Sequence, residues 1–276
     1  MNKLSTEEKV SVVSCLVEGN SLRSTVRMTG IHRTTIQKFL VELGAACSEY
    51  QDKAFRNLPC KRLQCDEIWA FCGAKEKNAS PEKKRQGRGG VWTWTALDAD
   101  TKLVPCWFVG NRDSGAAYHF MLDLSERLAN RVQLTTDGFK SYLQAAENAF
   151  GSEVDYAQLQ KIYGKPEGGN PAEIRYSPAQ CMGAKKAVIT GNPDYRHVST
   201  SHTERNNLTM RMSMRQFTRL TNAFSMKIEN HEVAVALHFM HYNFARVHQT
   251  LRVTPAMEAG VADHVWSLEE IVNLSN

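Results

Sequence analysis

The chain opens on helical periodicity. In STEEKVSVVSCLVEG, residues 5–19, Ser5 is followed three positions later by Glu8, a capping-box start, and the segment closes on Gly19. SLRSTVRMTGIHRTTIQKFLVELG then predicts a short helix from about Ser21 to Met28, a turn at Thr29-Gly30, and a second helix from near His32. Val26, Ile31, Ile36 and Leu40 are spaced to close a small core, which leaves Arg33, Thr34, Thr35, Gln37 and Lys38 on the outer helix. That is the pattern of a helix-turn-helix, and such side chains suit base edges and phosphates; an ordinary three-helix cap is the competing reading. From Ala46 to Pro59 the period is lost, which predicts a linker over 47–58.

Beyond Pro59 the pattern changes to strands. CKRLQCDEIWAFCG predicts one, and VWTWTALDADTKLVPCWFVG two more joined at Asp98-Ala99-Asp100, with Trp92 and Trp94 on one face and Val91 and Thr93 on the other. Asp113 or Ser114 can cap a helix through AAYHFMLDLSERL; a strand at Val132–Thr136, a helix through SYLQAAENAF and a strand near VDYAQLQKIY follow. Residues 164–200, rich in Gly and Pro, read as a long irregular insertion. TSHTERNNLTMRMSMRQFTRL and NHEVAVALHFMHYNFARVHQTL each read as one helix, and Thr254-Pro255 caps another. The order β-β-β-α-β-α-β and then helices predicts an α/β protein. An N-terminal all-α helix-turn-helix domain (1–46) and the linker precede a ribonuclease-H-like domain with a mixed sheet (59–252) and a C-terminal helical extension (253–276).

Composition narrows the setting. With 276 residues, 42% of them apolar, the chain can bury a sizeable core. It holds no run of eighteen uncharged apolar residues, and acids stand near the amino end where a signal peptide carries bases, so a cytoplasmic protein without a membrane partner is expected. The seven cysteines form no C-x-x-C pair and read as free thiols, mostly in the core. The net charge of +5 is small, but Lys75–Gly90 concentrates bases, and Lys83, Lys84 and Arg85 are its candidates for phosphate contact from a solvated loop.

Carboxylates carry the chemistry. The apolar run before Asp137 stops on Asp-Gly, which suits either a turn or a carboxylate delivered to the open end of a sheet. Asp66 and Glu67 point to opposite faces of their strand, so at most one should face Asp137, and alternation cannot say which. Glu204 stands on a helix that also carries Leu208, Arg211, Arg215 and Arg219 along one stripe; it is also placed to close a capping box from Ser201. Three carboxylates would suit Mg²⁺, or Mn²⁺ in its place, for phosphoryl transfer. Spacing alone leaves each alternative open. His231, His238, His241 and His248 form no completed metal set.

Taken together and in order, DEIWAF, WTALDADTKLV, GNRDS, TTDGFKSY, TSHTERNNLTMRMSMRQFTRLTNAFS and YNFARVHQTLRVTPAMEAG resemble the DDE transposases of insertion-sequence family one. The resemblance implies catalytic, metal-binding acids at Asp66, Asp137 and Glu204, and so selects Asp66 over Glu67. It also implies binding of double-stranded DNA at inverted-repeat ends and target, homo-oligomers on DNA, and Asn243, Arg246 and His248 near the catalytic face or the DNA. The gap from Asp137 to Glu204 is longer than in founding members. The cysteine-rich zinc module of many relatives has no counterpart, so no structural zinc is expected. A DNA-binding regulator, an inactivated descendant, or a nuclease of this fold without strand transfer are the alternatives.

Overall fold

The computed structural model describes residues 4–164, 180–218 and 222–275. Three helices come first: α1 (Thr6–Val17), α2 (Leu22–Thr29) and α3 (Arg33–Ala54). Ser5 and Glu8 close the capping box on α1, and α2 ends on Gly30 at φ 73°, a left-handed position that glycine adopts without strain. The Nδ1 of His32 caps α3 by accepting from the Thr34 N–H.

The linker expected over 47–58 is helical to Ala54. Leu43, Cys47 and Gln51 recur every fourth residue and are buried, and the Gln51 side-chain amide donates to the Ala236 carbonyl at 3.1 Å. A cysteine and a glutamine carry the buried stripe there, so the apolar period fades while the helix continues. At Gly44 an added Cβ would lie 2.4 Å from the Val233 Cβ, so α3 packs directly on the later helix over Ile228–Met240. Val12, Ile36 and Leu43 belong to the same apolar core as Leu134 and Tyr156 of the sheet.

The sheet contains β1 (Arg62–Cys72), β2 (Gly89–Asp98), β3 (Cys106–Gly110), β4 (Val132–Thr136), β5 (Val154–Gly164) and β6 (Gln180–Thr190), in the order β3-β2-β1-β4-β5-β6. It is mixed: β1 runs antiparallel to β2 and parallel to β4, β4 and β5 are parallel, and β6 is antiparallel to β5. The strand β6 lies inside the segment 164–200 expected to be irregular; of the rest, residues 165–179 lie outside the described residues and Tyr195–His197 form a 3-10 turn. Short helix α4 (Pro81–Arg85) stands in the basic loop, and α5 (Ser114–Glu126) and α6 (Ser141–Phe150) follow β3 and β4.

Alternation along the strands divides the core. Leu63 and Cys65 of β1, with Trp94 and Ala96 of β2, join the core that holds Phe120 of α5 and Tyr142 of α6. Ile68, Ala70 and Cys72, with Val91 and Leu97, face the other side. That side is covered by Met210 of α7 (Ser201–Ser213), Phe217, and Val235 and Phe239 of α8 (Ile228–Met240). The long helix expected from Thr200 onward ends at Ser213: Met214 is extended (φ −121°, ψ 114°), and Arg215–Phe217 form a 3-10 turn. The helix predicted from Asn230 likewise ends early, α8 giving way to a π-helical turn at His241–Ala245. Short helices α9 (Pro255–Glu258), capped by Thr254, and α10 (Leu268–Asn273) complete the chain.

Candidate active site

The site begins where two parallel strands part. Pairing of β1 with β4 covers Arg62–Cys65 against Gln133–Thr136 and stops, so the next residue on each, Asp66 and Asp137, stands at the fork. Asp137 has left its strand. Its Oδ1 accepts from the Phe139 N–H at 2.9 Å, closing an Asx turn, while Oδ2 takes an N–H of Arg112 at 3.4 Å. The turn and the delivered carboxylate, two competing readings of the sequence, are thus one arrangement.

Asp66 and Glu67 do point to opposite faces, as alternation requires. Asp66 lies on the α7 side, where its Oδ2 accepts from the Asn207 side-chain amide at 2.8 Å. Glu67, with its side chain 1% exposed, lies on the α6 side and accepts from Arg112 Nε at 3.2 Å. Yet one carboxylate oxygen from each of Asp66, Glu67 and Asp137 lies within 4.8 Å of the others. The expectation that at most one of the pair faces Asp137 therefore fails, because Asp137 is past the end of β4 and reaches around both faces.

Such crowding has an electrostatic signature. Burial, then the charges of Glu67 and Asp137, push the Asp66 carboxyl up to about 7. Glu67 is also raised, by burial first and by Asp137 second. Its Oε1 is buried beside the equally buried Tyr142 hydroxyl, whose hydrogen bond lowers the carboxyl again in part. Arg112 offsets part of the charge: its guanidinium bridges Glu67 and Asp137 and stacks 4.1 Å from the Phe139 ring and 5.0 Å from Trp92.

Glu204 lines the same cleft, an opening of about 900 Å³ that also takes in Arg112, Lys161, Asn207 and Arg211. It is not part of the close trio. Its Oε2 pairs with Lys161 Nζ at 2.5 Å, and its Oε1 accepts from the Thr200 hydroxyl at 2.7 Å. The capping-box alternative falls away, since Thr200 is the cap residue of α7 and Glu204 therefore lies one position beyond the third helical residue. Asn207 stands three residues further along the same helix face, so one stripe presents both Glu204 and the donor to Asp66.

The remaining predicted residues scatter. Arg33, Thr34 and Lys38 are exposed on the first turns of α3, with Thr35 and Gln37 half-buried beside them. Lys83, Lys84 and Arg85 are exposed on α4, Lys84 in an ion pair with Glu76. Arg211 reaches the cleft; Arg215, on the turn after α7, has left that stripe; Arg219 lies outside the described residues. Asn243 is buried and bonds both the N–H and the carbonyl of Val104, a structural role. Six cysteines are buried and Cys181 is exposed. Sequence reading missed Arg112, Asn207 and Lys161. Helical spacing from Glu204 would have found Asn207; nothing local singles out the other two.

All three groups of the trio offer carboxylate oxygens. That donor set fits a hard divalent cation. No described helix is long and apolar enough to cross a membrane. No protein-family model and no curated protein matches the chain. Among solved structures it is similar, at 13% identity and a TM-score of 0.39, over 99% of its length and 72% of the other chain, to a piggyBac transposase synaptic complex with hairpin DNA.

Proposed function

We propose that this chain is a metal-dependent DNA transposase with a ribonuclease-H-like catalytic fold, akin to insertion-sequence family one. In this reading it binds the inverted-repeat ends of its element, cleaves a strand and transfers the freed end to a target. The observation that carries the reading is the apposition of Asp66 and Asp137, on first and fourth strands that run parallel, at the mouth of an open cleft.

Asp66 and Asp137 hold Mg²⁺ or Mn²⁺, with Glu204 as the third acid. The cation, when bound, polarises a phosphodiester and stabilises the leaving oxygen. The chain's own residues do the rest. Asn207 fixes the Asp66 carboxylate, and the Asx turn fixes that of Asp137. Arg112 ties Glu67 back, so Glu67 supports the site from beneath. Lys161 pairs with Glu204 and offsets its charge. The exposed amino end of α3, with Arg33, Thr34, Thr35, Gln37 and Lys38, serves as the recognition element of a helix-turn-helix, and Lys83, Lys84, Arg85, Arg211 and Arg215 contribute phosphate contacts. Assembly on DNA is as a homo-oligomer.

The test is single-turnover cleavage of a duplex carrying the inverted repeats that flank the gene. Cleavage should require Mg²⁺ or Mn²⁺, and Asp137→Asn and Glu204→Gln should each lower it by more than about 100-fold, beyond the range for residues that only support a metal ligand, with melting and end binding retained. Cleavage in chelator would sink the reading. A well-folded Glu204→Gln protein cutting at the parent's rate would remove Glu204 from the site.

A further inference from the structure

The helix α7 has a second face. Opposite the stripe of Glu204 and Asn207, residues His202, Arg205, Asn206 and Thr209 line a separate cavity of about 450 Å³, closed on its other side by Lys102 and by the chain from Tyr242 to Thr250. No Asp or Glu lines it. The cavity brings together three basic side chains, Lys102, Arg205 and Arg246, and two histidines. Among the described residues neither arginine is in an ion pair; the Arg246 guanidinium donates to the Ser213 hydroxyl at 3.2 Å.

A further observation points to a missing anion. Asn206 is 3% exposed, and its side-chain Nδ2 is buried without a partner among the described residues, a donor that a bound anion would satisfy. Lys102 closes the turn after β2, and its Nζ donates to the Ala99 carbonyl. The field agrees: His202 and His248 are both held below the ordinary histidine range, by burial first and by Lys102 next.

We propose that this cavity is a phosphate seat, in which Arg205, Arg246, Lys102 and the Asn206 amide receive one backbone phosphate of a DNA strand that crosses α7 from the acidic cleft. A helix with its side chains is about 10–12 Å across, the rise of about three phosphates at about 3.4 Å each along one strand. The seat extends the reading of the acidic cleft to the path of the strand around it, and its test stands apart from cleavage.

The probe is a fluorescently labelled duplex of mixed sequence, bound by the full chain in chelator over a range of salt. Replacing both arginines, Arg205→Ala with Arg246→Ala, should weaken binding roughly tenfold for each arginine. It should also reduce the slope of log affinity against log salt by about 0.9 for each phosphate left without its cation. Asn206→Leu should weaken binding while holding or raising the melting temperature, because it removes an unsatisfied buried amide. If the parent cleaves no DNA yet the arginine pair lowers the slope, the seat stands and the cleavage reading falls. An unchanged slope and affinity in the arginine pair overturns the seat, whatever Asp137→Asn does to cleavage. Inorganic phosphate raising the parent's melting temperature, with duplex binding insensitive to the arginines, would mark a site for the free ion and overturn the proposal equally.

Discussion

One helix separates two regions of opposite character. On one side of α7, three carboxylates crowd within 4.8 Å and a fourth, Glu204, is held by a lysine. On the other, a cavity lined by arginines, a lysine and histidines holds no acid. Their titration runs the same way: burial first and like charge next raise Asp66 on the first side and lower His202 on the second. Neither region is arranged for the stability of the bare protein, since each stores repulsion that pairing the two across the helix would have relieved. A surface that keeps opposite charges one helix apart suits a ligand that brings cations to one side and phosphates to the other.

The largest expected effect bears on the acidic side. Asp66 ionises at about 4 when unfolded and at about 7 when folded, so between those values the folded state keeps the extra proton. Stability is therefore full near pH 4 and is lost as pH rises to about 7, at no more than about 1.4 kcal/mol per pH unit from this group, with Glu67 acting in the same direction. Urea unfolding of the parent and of Asp66→Asn across that window isolates the contribution. An identical pH dependence in the two would break the contrast between the faces.

Next in size is Arg112. Its replacement by Ala leaves Glu67, almost wholly buried, without its counter-charge. The expected loss is about 2–3 kcal/mol, less than for a fully buried pair because Arg112 is itself a third exposed. Adding Glu67→Gln should recover most of that loss in a double-mutant cycle. If the two changes simply add, the pair is incidental. The smallest effect belongs to Lys161→Gln, since the ion pair with Glu204 is partly exposed and worth less than about 1 kcal/mol. Freed of the lysine, Glu204 should let Mn²⁺ raise the melting temperature at several-fold lower concentration; an unmoved titration would leave Glu204 outside the metal site.

Legibility in the sequence followed how local each cause was. Asp137 was readable as a strand-end carboxylate because a strand that stops on Asp-Gly needs no distant partner to announce itself, whereas only the family resemblance set Asp66 apart from its neighbour. Glu67 was not, because alternation counts faces along an unbroken ladder and the ladder here forks. The strand β6, with Lys185, Lys186 and two glycines near them, owes its form to pairing with β5. The helix break at Met214 is likewise not announced locally: Met210, Met214 and Phe217, all buried in one cluster, are spaced as they would be along one stripe of a continuous helix. Arg112 acquires its place only when Phe139 and Trp92 close around it.

The contact of Gly44 with Val233 has a metrical consequence. A helix that touches its neighbour backbone to side chain, and is pinned again where Gln51 donates to Ala236, has no hinge between the two. From Arg33 to Gln51 it is a rigid rod of about 27 Å, at about 1.5 Å per residue, or about eight base pairs of duplex at about 3.4 Å each. A ligand bound at the tip of α3 would thereby be held at a set reach from the sheet, as a drilling jig sets the distance from clamp to bit.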